Sequence, residues 1–294
     1  MKRNWSFLAL AVLVGPLVAA ADTTIEHKFT EGDTVTYRAD QDVISQVPMG
    51  GASMTTEMRQ TSWTKRTVQS VDSSGAKIEE VIERMTLKTD ITGGPVPMSI
   101  SWDSEKPDEA SGPNVEQVAA MLKPLVGQAY TYRVGTDGTI SDIQISDDAK
   151  PSFAMAGGGD AETAARAFIQ AGMLPVPGQS VSIGDSWPME TSLPNQMGTI
   201  TVKGPLTLKS VSGDTAEITG DLDASIEAAA GSPMKVEVTD VSNKTSYMWD
   251  VSKGRVKSAE SEMVMEIAIE VGGQKQNVTT TAKTSSRIVD GAGQ

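Results

Sequence analysis

The chain has no cysteine, one histidine and few rings, aromatic residues making up 4% of its 294 positions. The first absence excludes disulfides, a thiolate nucleophile, a cysteine zinc site and an acylated lipoprotein cysteine. The second leaves His27 as the one imidazole on which a serine–histidine triad or a histidine metal site could be built. Near the start of the mature chain it reads as a solvated surface residue. The scarcity of rings leaves aliphatic residues, alanine and 15 methionines to fill a core. Positive charge is short as well, with 25 basic residues against 38 acidic ones and a net charge of −13. A chain so charged avoids nucleic acid and anionic membrane surfaces.

Long apolar runs are missing except at the N-terminus. Lys2 and Arg3 precede an apolar run over residues 7–21, which Gly15-Pro16 interrupts and Ala19-Ala20-Ala21 closes. Charge, apolar run and small-residue exit predict a secretory signal peptide over residues 1–21, cleaved between Ala21 and Asp22. The run is too short for a comfortable membrane span. The alternative, a retained anchor, fits Gly15-Pro16 and the alanines less well. The expectation is an exported protein, periplasmic or extracellular, with no stable membrane insertion after cleavage. With no disulfide available, its stability must come from a large core or a well-paired sheet.

What the sequence has in quantity is alternation. Over residues 244–271, Tyr247, Trp249 and Val251 alternate with polar or small residues up to Ser252-Lys253-Gly254. Met263, Met265, Ile267, Ile269 and Val271 then alternate with Glu262, Val264, Glu266, Ala268 and Glu270. Period two over this length predicts an antiparallel hairpin with one dry and one mostly wet face. Its second strand would run roughly 55 Å at about 3.3 Å per residue, long enough to impose twist and curvature on the sheet. Similar runs recur throughout the chain. The period changes to three and four only over residues 114–126, where Asn114 can cap, and over residues 160–173, behind an Asp160 cap. Residues 147–159, ending in three glycines, read as a linker. The prediction is a mainly β protein: a long curved antiparallel sheet, as a half-barrel or two similar β halves, with two short helices. A first β half with one helix spans residues 22–146, a linker and helix 147–179, and a second β half 180–294.

Three landmarks recur in order in the two halves. Gly32-Asp33 matches Gly184-Asp185. Ser70-Val71-Asp72-Ser73-Ser74-Gly75 matches Ser210-Val211-Ser212-Gly213, and Tyr130-Thr131-Tyr132-Arg133-Val134 matches Ser246-Tyr247-Met248-Trp249-Asp250. Ordered landmarks predict an internal repeat with unequal insertions; the alternative is that meanders reuse the same turn residues. Through Gly184-Asp185-Ser186-Trp187 and the run from Tyr130 to Ile143, the chain resembles an uncharacterised family of exported bacterial β-rich proteins. More distantly it is similar to the half-barrel of bacterial envelope lipoprotein carriers. That resemblance implies a curved sheet wrapping helices around an apolar cavity, and it transfers no binding residue.

Motifs for chemistry are weak. Ser232-Pro233-Met234-Lys235 fits a serine-x-x-lysine pattern without its companion motifs. Gly157–Gly159 precede a helix without the lysine and hydroxyl of a phosphate loop. Asp221, Asp223, Glu217 and Glu227 share a strand face, which alternation explains as its wet side. No catalytic, metal or cofactor-binding residue is proposed, and a hydrolase is disfavoured for want of a nucleophile motif. The methionines Met54, Met58, Met85, Met98, Met248, Met263 and Met265 all fall in predicted strands. Methionine adapts to ligands of variable shape and equally fills core gaps. An apolar ligand face is therefore expected from Met85, Met248, Met263, Met265, Ile267 and Ile269. It would take a lipid or acyl chain, or an apolar segment of an envelope protein partner. The competing expectation is a structural or interaction scaffold with its core packed shut.

Overall fold

The computed structural model describes residues 22–292 apart from 50–51, 95, 136, 158–159, 196–197, 229–234 and 272–273. The leader, including Ala21, and the serine-x-x-lysine stretch up to Met234 lie outside the described residues. Fourteen strands and three helices follow in order: β1 (Thr23–Ile25), β2 (Thr34–Met49), β3 (Ala52–Asp72), β4 (Gly75–Thr92), β5 (Met98–Asp103), α1 (Val115–Leu122), β6 (Ala129–Gly135), β7 (Ile140–Gln144), α2 (Lys150–Gly157), α3 (Ala161–Ala171), β8 (Gln179–Val181), β9 (Ser186–Asn195), β10 (Gly198–Ser212), β11 (Thr215–Ala228), β12 (Lys235–Asp250), β13 (Arg255–Val271) and β14 (Gln274–Val289). Twelve strands form one antiparallel sheet in the order β7-β6-β4-β3-β2-β14-β13-β12-β11-β10-β9, with β5 paired to β4. No pairing joins β7 or β5 to β9 among the described residues, so this curved sheet is open. Between its end strands stands the α2–α3 pair, and α3 touches both β7 and β9.

The hairpin over residues 244–271 forms as its alternation predicts. β12 and β13 pair from Asp250↔Arg255 to Lys235↔Glu270, and Gly254 turns the chain at φ +61°. Gly254 is buried, and a Cβ there would stand 2.3 Å from the backbone nitrogen of Lys28. Only glycine allows both the left-handed turn and the close passage of the N-terminal segment.

The two halves share hydrogen bonds as well as residues. The Gly32 amide donates to the Val68 carbonyl and the Val68 amide to the Asp33 carbonyl; Gly184 and Leu208, then Leu208 and Asp185, repeat both bonds. The β3–β4 ladder shifts register between Val68 and Ser70, and the β10–β11 ladder between Leu208 and Ser210. Beyond each bulge Val71↔Ala76 corresponds to Val211↔Ala216. One landmark moves by a residue. Ile78 pairs with Tyr132 and Ile218 with Tyr247, so Val134 corresponds to Trp249 and not to Asp250. β1 and β8 pair with each other about Thr24↔Ser180, which ties the starts of the two halves together.

Helix expectations need two corrections. Residues 147–159, read as a linker, contain α2. The Ser146 hydroxyl and carbonyl both accept from the Ala149 amide, Pro151 occupies the first turn, and Phe153 is buried. Among the described residues three helices are therefore present, not two, because buried alanine and phenylalanine faces outweigh the helix-breaking glycines behind them. At α1, Asn114 sits in the left-handed region and its side chain makes no capping bond. Asp160 caps α3 as expected, accepting from the Thr163 amide at 2.7 Å.

Core packing concentrates at the end of the sheet where β3–β4, β10–β11 and β12–β13 turn. Trp249, Leu206, Leu208, Ala216 and Ile218 are fully buried with Ile25, Leu174 and Val181 packed over them. In the first half Ile78, Tyr132 and Val134 pack against Ile169 of α3, while α1 covers Ile82, Met85 and Trp102. The sheet thus wraps all three helices around one inner face.

An inner face in three tiers

Register assigns every strand residue to the inner or outer face. At the closed end, above the buried core, lies a charged knot. Glu80 is 4% exposed. Its carboxylate accepts from Arg66 Nε, from the Tyr130 hydroxyl and, at 2.8 Å, from the Tyr132 hydroxyl. Arg66 also lies over the Tyr37 ring, 5.3 Å from its centroid, and the Tyr37 hydroxyl donates to the Val256 carbonyl at 3.0 Å. Burial drives the phenols of Tyr130 and Tyr132 well above their usual pKa, with Glu80 adding to the effect. Burial opposes the Arg66 charge, but Glu80, Tyr132 and Tyr37 outweigh it and hold the guanidinium well above its usual value. The Arg66 side chain nonetheless keeps 26% of its surface exposed.

The repeat supplies an internal comparison. Arg66 pairs with Glu80 across β3–β4; at the corresponding positions Leu206 pairs with Gly220 across β10–β11. A Cβ on Gly220 would meet the Leu206 and Thr245 side chains at 2.9 and 3.0 Å, so the second half fills this place with hydrocarbon. The fold therefore does not require an ion pair here. Buried ion pairs are often no more stabilising than apolar residues of similar volume, which makes this knot the stronger candidate for a functional group.

A second tier stands between the knot and the open end of the sheet. Gln41 of β2, Gln60, Ser62 and Thr64 of β3, Ser261 of β13 and Ser286 of β14 face inward, half-buried, in paired register. The third tier is apolar. Val43 and Val47, Met54 and Met58, Met263, Met265, Ile267 and Ile269, and Val278 and Ala282 occupy the inner face of β2, β3, β13 and β14. β12 adds Val236, Val238 and Val241. Thr56, Ser45 and Thr280 interrupt this wall in one row, and the Ser45 and Thr280 hydroxyls bond each other at 3.1 Å. Five adjacent strands about 4.8 Å apart make the wall roughly 19 Å wide.

Four of the six residues expected on an apolar face lie on this wall. Met265 and Ile267 are 4% and 7% exposed, and Met263 and Ile269 are half-buried. Met85 shares the inner face but is closed under α1. Met248 points outward, 38% exposed, because its neighbours Tyr247 and Trp249 take the inner positions. His27 overturns the surface expectation. It packs edge-on to Trp249 with centroids 5.3 Å apart, stacks on Phe29, and shares a 3.1 Å hydrogen bond with the Leu174 carbonyl. Burial lowers its pKa to about 4. The Arg66–Glu80 knot escaped the sequence reading because Arg66 and Glu80 lie on different strands; a charged residue at an inward position of each strand was the available signal.

Elsewhere the outer face carries polar chemistry. Arg38 and Arg84 each lie over Trp63, with Arg84 held to Asp103 at 2.8 Å. A cleft of about 260 Å³ beside Arg59, Lys88 and Lys106 is polar, and a second of about 580 Å³ lies at Pro48, Thr239 and Lys275. Among the described residues no group of three or more histidine, aspartate or glutamate side chains could hold a metal ion, and no helix is long and apolar enough to cross a membrane.

No protein-family model and no curated protein sequence matches the chain. Among solved structures it is similar to lipovitellin, described for its lipid–protein interactions, at a TM-score of 0.53 and 11% identity over 89% of this chain. The chain spans 25% of the lipovitellin chain's length. It also matches the translocator domain of the autotransporter NalP from Neisseria meningitidis, at a TM-score of 0.26 and 7% identity over 90% of both chains. A β-barrel-like protein of a domain of unknown function from Brucella abortus matches at 0.20 and 11% identity, over 88% of this chain and 100% of that one. The likeness to that part of lipovitellin is one of fold alone.

Proposed function

We propose that this is an exported, non-enzymatic envelope protein that binds an apolar ligand, a lipid or acyl chain, against the inner face of its sheet. The observation that carries the reading is the apolar wall on β12, β13, β14, β2 and β3, broken by a single row of hydroxyls and facing the side that the sheet wraps around. Contiguous apolar surface rimmed by polar residues is the usual mark of a ligand or partner site. Lipovitellin, named for lipid–protein interactions, adds support at the level of fold. Export rests on the leader-like residues 1–21, and the non-enzymatic reading on a lone histidine engaged in packing. Native mass spectrometry after mild purification tests it: co-purified lipid is expected, lost in M265E/I267E. A clean unliganded mass, with no binding of fluorescent fatty acids, overturns it.

A second reading has its own observation. Met265 and Ile267 are already buried without a ligand, as in a scaffold packed shut that offers a surface to a protein partner. Such a protein would give the clean mass and a cross-linked partner instead.

A further inference from the structure

We infer that the ligand of this site is a long-chain carboxylate, seated head-down: its anionic head on Arg66 at the closed end, its chain rising along the apolar wall. The inference rests on the apolar-ligand reading and adds to it a head-group chemistry and an orientation.

Three observations carry it. The first is the order of polarity along single strands. On β3, Arg66 is followed inward-facing by Thr64, Ser62 and Gln60, and only then by Met58, Thr56 and Met54. An acyl chain alone has no use for a hydroxyl and amide tier; an amphiphile with a polar head does. The second is the state of Arg66. Its Nε is committed to Glu80, its plane lies over Tyr37, and the outer end of the guanidinium makes no hydrogen bond among the described residues while a quarter of the side chain stays open. Two parallel N–H groups presented by a pinned, planar cation match a carboxylate in both geometry and charge. Glu80 and the two tyrosines hold that cation in place and leave its free end uncommitted. The third is the repeat. The equivalent pair in the second half is Leu206–Gly220, so the charged knot is an addition of the first half and not a demand of the sheet.

Titrating wild-type protein with cis-parinaric acid and with its methyl ester separates head from chain. The acid is expected to bind about tenfold more tightly than the ester at neutral pH. In R66M/E80Q, which removes both charges while keeping acceptors for the tyrosines, that ratio should fall to about one. Equal binding of acid and ester by the wild type, or a preference that survives in the double variant, overturns the head-down site while leaving an apolar site in place. Binding of neither probe overturns the apolar-ligand reading itself. Should the double variant fail to fold, a fatty acid with a diazirine at its chain end decides the orientation in the wild-type protein. Cross-links are expected within residues 263–269, and cross-links confined to residues 60–66 overturn the proposal.

Discussion

At the scale of single residues, the inner face mixes two kinds of position. Trp249 and Leu208 are there for volume, and each is closed over by its neighbours. Arg66 and Glu80 are there for charge, at a place where the other half uses hydrocarbon. Removing one partner of a buried pair costs far more than removing both, since the survivor is left without compensation. R66M alone should therefore lower unfolding stability by about 3–5 kcal/mol, and R66M/E80Q by much less; urea midpoints of the two variants check this ordering. His27 predicts a pH dependence. Its folded pKa of about 4 lies below the ordinary 6.5, so the unfolded chain binds the extra proton. Its contribution is fully present above pH 6.5 and is lost as pH falls toward 4, by about 3 kcal/mol at most, less the share screened by residual solvent. Denaturation midpoints of wild type and H27F, compared across that window, should converge as pH falls.

At the scale of elements, β13 carries the clearest division of labour. Met265 and Ile267 are buried on the inner face while Val264, one position away, is 37% exposed on the outer face. V264E is expected to stay within about 0.5 kcal/mol of wild type, whereas I267E should cost several times that for an unpaired charge placed on the apolar wall. Thermal melts of the two variants measure the contrast. The turn that starts β13 is equally constrained. Placing any side chain on Gly254 meets a left-handed backbone and the Lys28 segment together, so G254A should cost roughly 1–3 kcal/mol from backbone strain and loosen the N-terminal strap. Proteolysis near residue 28, faster in the variant, reports the loosening. Helix α2 shows why element reading failed where it did. Its proline sits where a helix start wants it, but its apolar face is short, and only the contacts of Phe153 with Tyr130 and Phe168 reveal what it packs on.

At the scale of the molecule, β14 is the joint. It pairs with β13 on one side and β2 on the other, and so turns two halves of similar register into a single sheet. A chain ending at residue 273 would leave β2 and β13 as long unpaired edges, which are templates for association. Size-exclusion chromatography should find such a chain aggregated, while the full chain elutes as a defined species. The open edges of the complete sheet are managed differently. β9 carries Pro188 and Pro194, which deny ladder donors to an incoming strand, and α3 stands between β9 and β7.

Alternation along single strands was enough to establish the β class, the hairpin at Gly254, the turns common to the halves, and the inward set Met263, Met265, Ile267 and Ile269. These are local properties: period two and glycine at positive φ act within a few residues, so the order of amino acids carries them whole. The order of strands, the insertion of β14 between the halves, the burial of His27 against Trp249 and the meeting of Arg66 with Glu80, Tyr130 and Tyr132 were decided by tertiary structure. Each depends on which distant segments become neighbours, and that is settled by how a whole curved sheet closes over its helices rather than by any residue's near sequence.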